Sequence, residues 1–179
     1  MFKNIMWGVA LTIAVALIGA YALLRSGRIP ANADAAPGRL ETWMATTSLD
    51  ATLGREAPKI QNPVALTDQS LLDGVHLFAQ NCAVCHGSAQ GTAAPSPIAT
   101  GLYQKPPQFA TDGVEDDPEG DSFWVIKHGL RLTGMPSFGH ALSDAQIWTL
   151  ALFLKHMDKL PPALQQNWQQ VRNWPLTCP

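Results

Sequence analysis

Residues 81–88 read Asn81-Cys82-Ala83-Val84-Cys85-His86-Gly87-Ser88, and the spacing of two thiols and an imidazole in that run decides what the rest of the chain has to build. A C-x-x-C-H run is the attachment signal of a c-type haem. Two thiols about one helical turn apart can add to the two vinyl groups of one porphyrin edge. The next residue then sets an imidazole where a haem iron takes its proximal ligand. The same residues could instead be a redox dithiol or half of a zinc site. A dithiol usually heads a βαβ pattern, and a zinc site needs a second pair of ligands; neither pattern follows here.

Upstream, Thr67 is a candidate N-cap, with Asp68 and Asp73 favouring the positive end of a helix. Leu71, Val75 and Phe78 recur at helical spacing, with Gly74 amid the same face. A glycine inside a helix costs about 1 kcal/mol relative to alanine, so it marks a close backbone approach. Downstream, residues 87–112 carry Gly87, Gly91, Pro95, Pro97, Gly101, Pro106 and Pro107 and predict a long loop around the edge of the group bound at Cys82 and Cys85. Pro97, Ile98, Leu102 and Phe109 are its candidate packing residues. A metal-bound histidine donates its second ring N–H to an outer acceptor, and the carbonyl of Pro97 is the expected acceptor for His86.

Residues 112–121 hold Asp112, Glu115, Asp116, Asp117, Glu119 and Asp121. This run reads as a solvated loop, with a docking patch for a basic partner and a calcium site as alternatives; the spacing is not that of an ordered calcium loop. Ser122 is expected to cap a short helix ending near Gly129. Then comes Gly134-Met135-Pro136-Ser137-Phe138-Gly139. A methionine held between glycine and proline projects its thioether rigidly, and soft sulfur suits iron. Met opposite His raises the reduction potential. Rivals for that position are His128, His140, Met157, His76 and, in the connector, Met44; each also reads as an ordinary helix or surface residue. From Ser143 to Met157, Ser143 and Gln146 form a capping box. Ile147, Leu150, Ala151 and Leu154 make a stripe, and Trp148 beside it is expected to fill the notch left by Gly74.

The ends differ from this middle. Residues 5–24 run for twenty positions without a charge, long enough as a helix to cross a bilayer. Lys3, Arg25 and Arg28 flank them, and Trp7 and Tyr21 stand near their ends as interfacial aromatics do. Ala31-Asn32-Ala33 and Ala33-Asp34-Ala35 fit a signal-peptide cleavage site; the long apolar run and the arginines before those alanines favour an uncleaved anchor. Residues 26–65 read as a stalk, with Leu40, Trp43 and Met44 on one short helix and Leu49 and Leu53 on another. Past Pro161-Pro162, Leu164, Trp168 and Val171 suit a final short helix in the tail, residues 161–179. Overall 46% of residues are hydrophobic and the net charge is −2, which leaves no basic field for nucleic acid. Cys178 is the third cysteine; its spacing assigns it no partner.

Taken together, Cys-Ala-Val-Cys-His-Gly, Gly74 with Phe78 upstream, Gly134 to Gly139 downstream and the last helix with Trp148 make residues 66–160 resemble a class I c-type cytochrome. The resemblance implies an all-α fold, the small class I cytochrome c fold wrapped around one covalent haem c; the single transmembrane helix expected in residues 1–25 precedes it and lies outside the resemblance. It implies thioether links to Cys82 and Cys85, His86 and Met135 as axial iron ligands, and packing by Pro97, Ile98, Leu102, Phe109 and Phe138. It implies a one-electron carrier, or a subunit of a respiratory oxidase or dehydrogenase complex, rather than an enzyme in its own right. Haem attachment in bacteria works on the outer side of the inner membrane, so the domain is expected to face the periplasm, either anchored through residues 5–24 or released after cleavage. A haem enzyme or ligand sensor with an open axial position is the alternative. Residues 66–160 carry five basic against ten acidic side chains, and an acidic carrier is steered to a basic face on a membrane-associated redox partner.

Overall fold

The computed structural model describes residues 2–89 and 95–171; Cys178 lies outside them. Among the described residues all regular structure is helical, in the order α1 (Phe2–Arg25), α2 (Arg39–Glu56), α3 (Asp68–Asn81), α4 (Ala83–His86), α5 (Pro97–Gly101), α6 (Phe109–Asp112), α7 (Glu119–His128), α8 (Asp144–His156), a 3-10 turn (Met157–Lys159) and α9 (Pro162–Gln170). The chain divides into two compact units, Met1–Ala35 and Ala36–Pro179.

The first unit is essentially α1, a 24-residue apolar helix with none of its residues buried. By length and composition it can cross a membrane.

The second unit is built on α3 and α8. Both helices begin with a capping box, which satisfies N–H groups that a helix start leaves without partners. Thr67 Oγ1 accepts from the Ser70 N–H at 3.1 Å, and Ser70 Oγ accepts from the Thr67 N–H at 3.0 Å. Ser143 and Gln146 do the same for α8. The buried face of α3 is Leu71, Gly74, Val75 and Phe78. On α8 every residue from Ile147 to Leu154 except Thr149 is buried, so this helix is surrounded rather than one-sided.

The two cross at Gly74. Phe153 and Thr149, not Trp148, occupy the notch: a Cβ on Gly74 would overlap Phe153 Cβ and stand 3.1 Å from the Thr149 carbonyl oxygen. Trp148 turns the other way and stacks on Phe123 of α7, ring centroids 4.3 Å apart. The tail helix α9 closes the far side, with Trp168 edge-on to Phe78 and Phe153 at 5.3 Å each. Phe78 and Phe153 are sealed from solvent, and burying side chains of this size contributes roughly 1.5–3 kcal/mol apiece.

Three further expectations change. The segment 87–112, expected as a loop, holds the short helices α5 and α6. The helix expected to start at Ser122 starts at Glu119, after Pro118. Gly120 admits the Pro58 carbonyl where any Cβ would collide with it, and Asn62 Nδ2 donates to Glu119 Oε1 at 2.8 Å and to the Trp148 carbonyl at 3.0 Å. Glu119 and Asp121 therefore belong to a helix's first turn, where negative charge is favourable, rather than to the acidic loop. In the connector, α2 is one helix of 18 residues rather than two short ones.

Candidate cofactor site

Cys82 follows the last residue of α3, and its carbonyl accepts from the N–H groups of Cys85 and His86 at 3.0 and 2.9 Å. These bonds wind residues 83–86 into the single turn α4, so the two thiols and the imidazole are offered from one short, well-tied segment. Gly87 then reverses the chain at φ 79°.

Two polar residues of the following loop fasten it to that turn. Ser96, 1% exposed, donates from Oγ to the Val84 carbonyl and accepts from the Ala99 N–H at 3.0 Å, capping α5. Gln108 Nε2 donates to the Cys85 carbonyl at 2.9 Å and to the Pro106 carbonyl at 3.0 Å. His86 Nδ1 lies 3.0 Å from the carbonyl oxygen of Pro107. A carbonyl only accepts, so Nδ1 carries the proton and Nε2 is left with a free lone pair. The acceptor is thus Pro107 rather than the expected Pro97. Phe109 stacks flat on the imidazole, centroids 4.3 Å apart and planes 10° from parallel. Burial lowers the basicity of His86 and the Pro107 bond works against that; the net direction favours the neutral ring that a metal binds.

Met135 comes from the opposite side, on a loop that hangs from the end of α7. The Phe138 and Gly139 N–H groups donate to the carbonyls of Ile126 and Lys127 at 3.1 and 3.0 Å, and Ser137 Oγ donates to Lys127 at 2.7 Å. The last carbonyls of a helix need partners from outside it, and here the methionine loop supplies them. Gly129 makes the approach: at φ 68°, a Cβ there would stand 2.6–2.7 Å from the Pro136 carbonyl carbon and the Met135 oxygen. Thr133 Oγ1 accepts from the Met135 N–H at 3.1 Å and donates to the Leu130 carbonyl at 2.8 Å.

Between these two sides lies a cleft of about 260 Å³, lined by Cys82, Cys85, His86, Leu102, Pro107, Met135 and Phe138 among others. Every candidate attachment and ligand residue reaches it. Leu102 and Phe138 are on its wall as expected, and Leu102 sits against Gly134, where a Cβ would come within 2.5 Å of Cδ2. Phe109 serves from behind His86. Pro97 and Ile98 do not reach the cleft: with Ser96 pinned to Val84, α5 turns Ala99 inward and leaves Ile98 47% exposed. His76, His128 and His140 are exposed, and Met157 is packed in the core; none lines the cleft. Ser96, Pro107 and Gln108 escaped the sequence reading. The position of Pro107 and Gln108 just before Phe109 was the available signal.

The site fits a haem. Its walls are mainly apolar, two thiols lie on one side, and a neutral imidazole and a thioether line it without any carboxylate. Among the described residues no group of three or more His, Cys, Asp and Glu gathers as a metal centre, so the second ligand pair that a zinc reading requires is not assembled there. Burial pushes the Cys82 thiol up to about 12, helped by the charge of Cys85, and raises Cys85 as well; neither resembles an activated redox thiol.

Residues 69–154 match the family described as "Cytochrome C oxidase, cbb3-type, subunit III". No curated protein matches the chain. Among solved structures, a chain of the Kuenenia stuttgartiensis reducing HAO-like protein complex Kustc0457/Kustc0458 aligns at 24% identity with a TM-score of 0.42, over 57% of this chain and 52% of that one. The chain thus spans about half the length of that structure.

Proposed function

From the premise that residues 69–154 form a c-type cytochrome domain, we propose that the protein transfers single electrons through one haem c gripped by His86 and Met135. The observation that carries this reading is the cleft itself, which Cys82, Cys85, His86 and Met135 all line and whose lining holds no carboxylate. Haem so bound supplies a reversible one-electron couple, whose potential is tuned by its axial ligands and burial.

The chain's own residues do the rest. Cys82 and Cys85 hold the group by thioether bonds. Pro107 keeps the proton on Nδ1, so that Nε2 would be the nitrogen left to hold the metal. Phe109 stops the imidazole from turning. The bonds from the Met135 loop to α7 keep the thioether in place through oxidation and reduction, so little has to reorganise. Leu102 and Phe138 keep water off the ring. The apolar helix α1 tethers the domain to the inner membrane with the haem side in the periplasm, raising its effective concentration near membrane partners. The description of the matched family favours a fixed subunit of an oxidase-type complex over a free shuttle.

Haem should remain with the chain on a denaturing gel and leave it when Cys82 and Cys85 are both replaced by alanine. Met135→Ala should abolish the far-red sulfur-to-iron band of the oxidised protein and lower its midpoint potential. An unchanged band would mean that a sulfur other than Met135 is the ligand, whereas absence of the band from the wild-type protein would revive a haem enzyme or sensor with an open axial position. Gentle solubilisation, followed by identification of co-purifying chains, separates subunit from shuttle.

A further inference from the structure

We infer that Lys105 is the counter-charge for a carboxylate of the bound group, forming an anion subsite at the mouth of the cleft. This inference rests on the haem reading above. Haem carries two carboxylates, and residues 66–160 already hold five more acidic than basic side chains, so the group adds negative charge to a domain that is negative to begin with. Among the described residues lining the cleft, Lys105 carries the only fixed charge, and Asp and Glu are absent from the wall.

Its position is held from both sides. Three residues before it, Leu102 is pressed against Gly134. Two residues after it, the Pro107 carbonyl is bonded to His86. Between them, the Tyr103 hydroxyl is 2.8 Å from both carboxylate oxygens of Glu41. The Lys105 ammonium donates to the carbonyls of Thr100 and Leu102, each at 2.6 Å. An ammonium has three donors, so these bonds fix the side chain at the end of α5 and leave one N–H and the whole positive charge for an anion. Gln104, also on the cleft wall, adds a neutral donor beside it. The other lysines of residues 66–160 have partners elsewhere: Lys127 pairs with Asp144 at 2.8 Å, Lys155 donates to the Asp117 carbonyl at 3.3 Å, and Lys159 pairs with Asp158 at 2.9 Å.

The test compares Lys105→Met, Lys105→Arg and, as a control, Lys155→Met in the full-length, haem-loaded chain in membranes, at low salt and one pH. Loss of a positive charge beside the iron favours the oxidised state. Lys105→Met should shift the one-electron equilibrium at least threefold toward oxidation, about 28 mV at 59 mV per decade. Lys105→Arg should keep the wild-type potential, and Lys155→Met should move it by less than half as much as Lys105→Met. Redox difference infrared spectra should show altered haem carboxylate bands in Lys105→Met and wild-type bands in the control. Equal shifts in the two methionine variants, or unchanged carboxylate bands, would overturn the subsite while leaving the haem reading intact. Absence of covalent haem from the wild-type chain would overturn that reading and this one with it.

Discussion

Gly74 of α3 and Phe153 of α8 touch with no room for a Cβ between them, and that contact sets how closely the two main helices of the second unit cross. Gly74→Ala should therefore destabilise the domain even though alanine favours a helix by about 1 kcal/mol. Overpacking of this kind costs about 1–3 kcal/mol, and a Cβ overlapping Phe153 Cβ belongs at the upper end of that range, so the expected net loss approaches about 2 kcal/mol, read as a lower denaturant midpoint. An unchanged or raised midpoint would show that the crossing is looser than described.

Gly129→Ala should act on the Met135 loop first. The residue sits at φ 68° with Met135 and Pro136 backbone atoms against it, and the left-handed conformation alone costs a residue with a Cβ roughly 1–2 kcal/mol. The far-red band assigned to Met135 should disappear at a lower denaturant concentration than in wild type, while haem remains covalently bound. Simultaneous loss of band and fold at the wild-type midpoint would contradict this.

Ser96→Ala should cost about 1–3 kcal/mol, because it removes the donor to the Val84 carbonyl and the acceptor for the Ala99 N–H in a buried place. Proteolysis under native conditions should then cut near residues 95–101 faster than in wild type. Equal cleavage rates would mean that the loop is held by something other than this serine.

In the haem-free chain, the Cys82 thiol supplies a pH dependence whose sign is fixed. Its folded value is pushed up to about 12 from an ordinary 9. Above pH 9 the unfolded chain releases a proton that the folded chain retains, so stability must fall as pH rises from 9 toward 12. Denaturation of the haem-free chain should show this decline, and Cys82→Ala should lessen it. Thioether sulfur does not titrate, so the haem-loaded protein should lack the Cys82 contribution too. A haem-free chain equally stable at pH 8 and 11 would contradict the burial of this thiol.

What could be read from the sequence was local. The caps of α3 and α8 lie within three residues of their partners, and the Cys82–His86 spacing is a property of one turn. What could not be read depends on partners far along the chain. The start of α7 is set by Pro58 against Gly120 and by Asn62, 57 residues from Glu119. The choice of Phe153 over Trp148 beside Gly74 is invisible to periodicity because α8 is buried nearly all round. Pro107, Gln108 and Ser96 sit in a segment with no repeat to mark them. Cys82, Cys85, His86 and Met135 could be placed together because each sits in a short motif with its own chemistry.

The loop bearing Met135 hangs from the last carbonyls of α7, and α7 in turn bears against α2, the first helix met on leaving the N-terminal segment. The His86 side is secured differently, through Ser96 and Gln108. The same helix α2 also reaches the histidine side, where Glu41 is bonded to Tyr103 of the loop that carries Pro107, so both sides of the cleft lean on the connector helix.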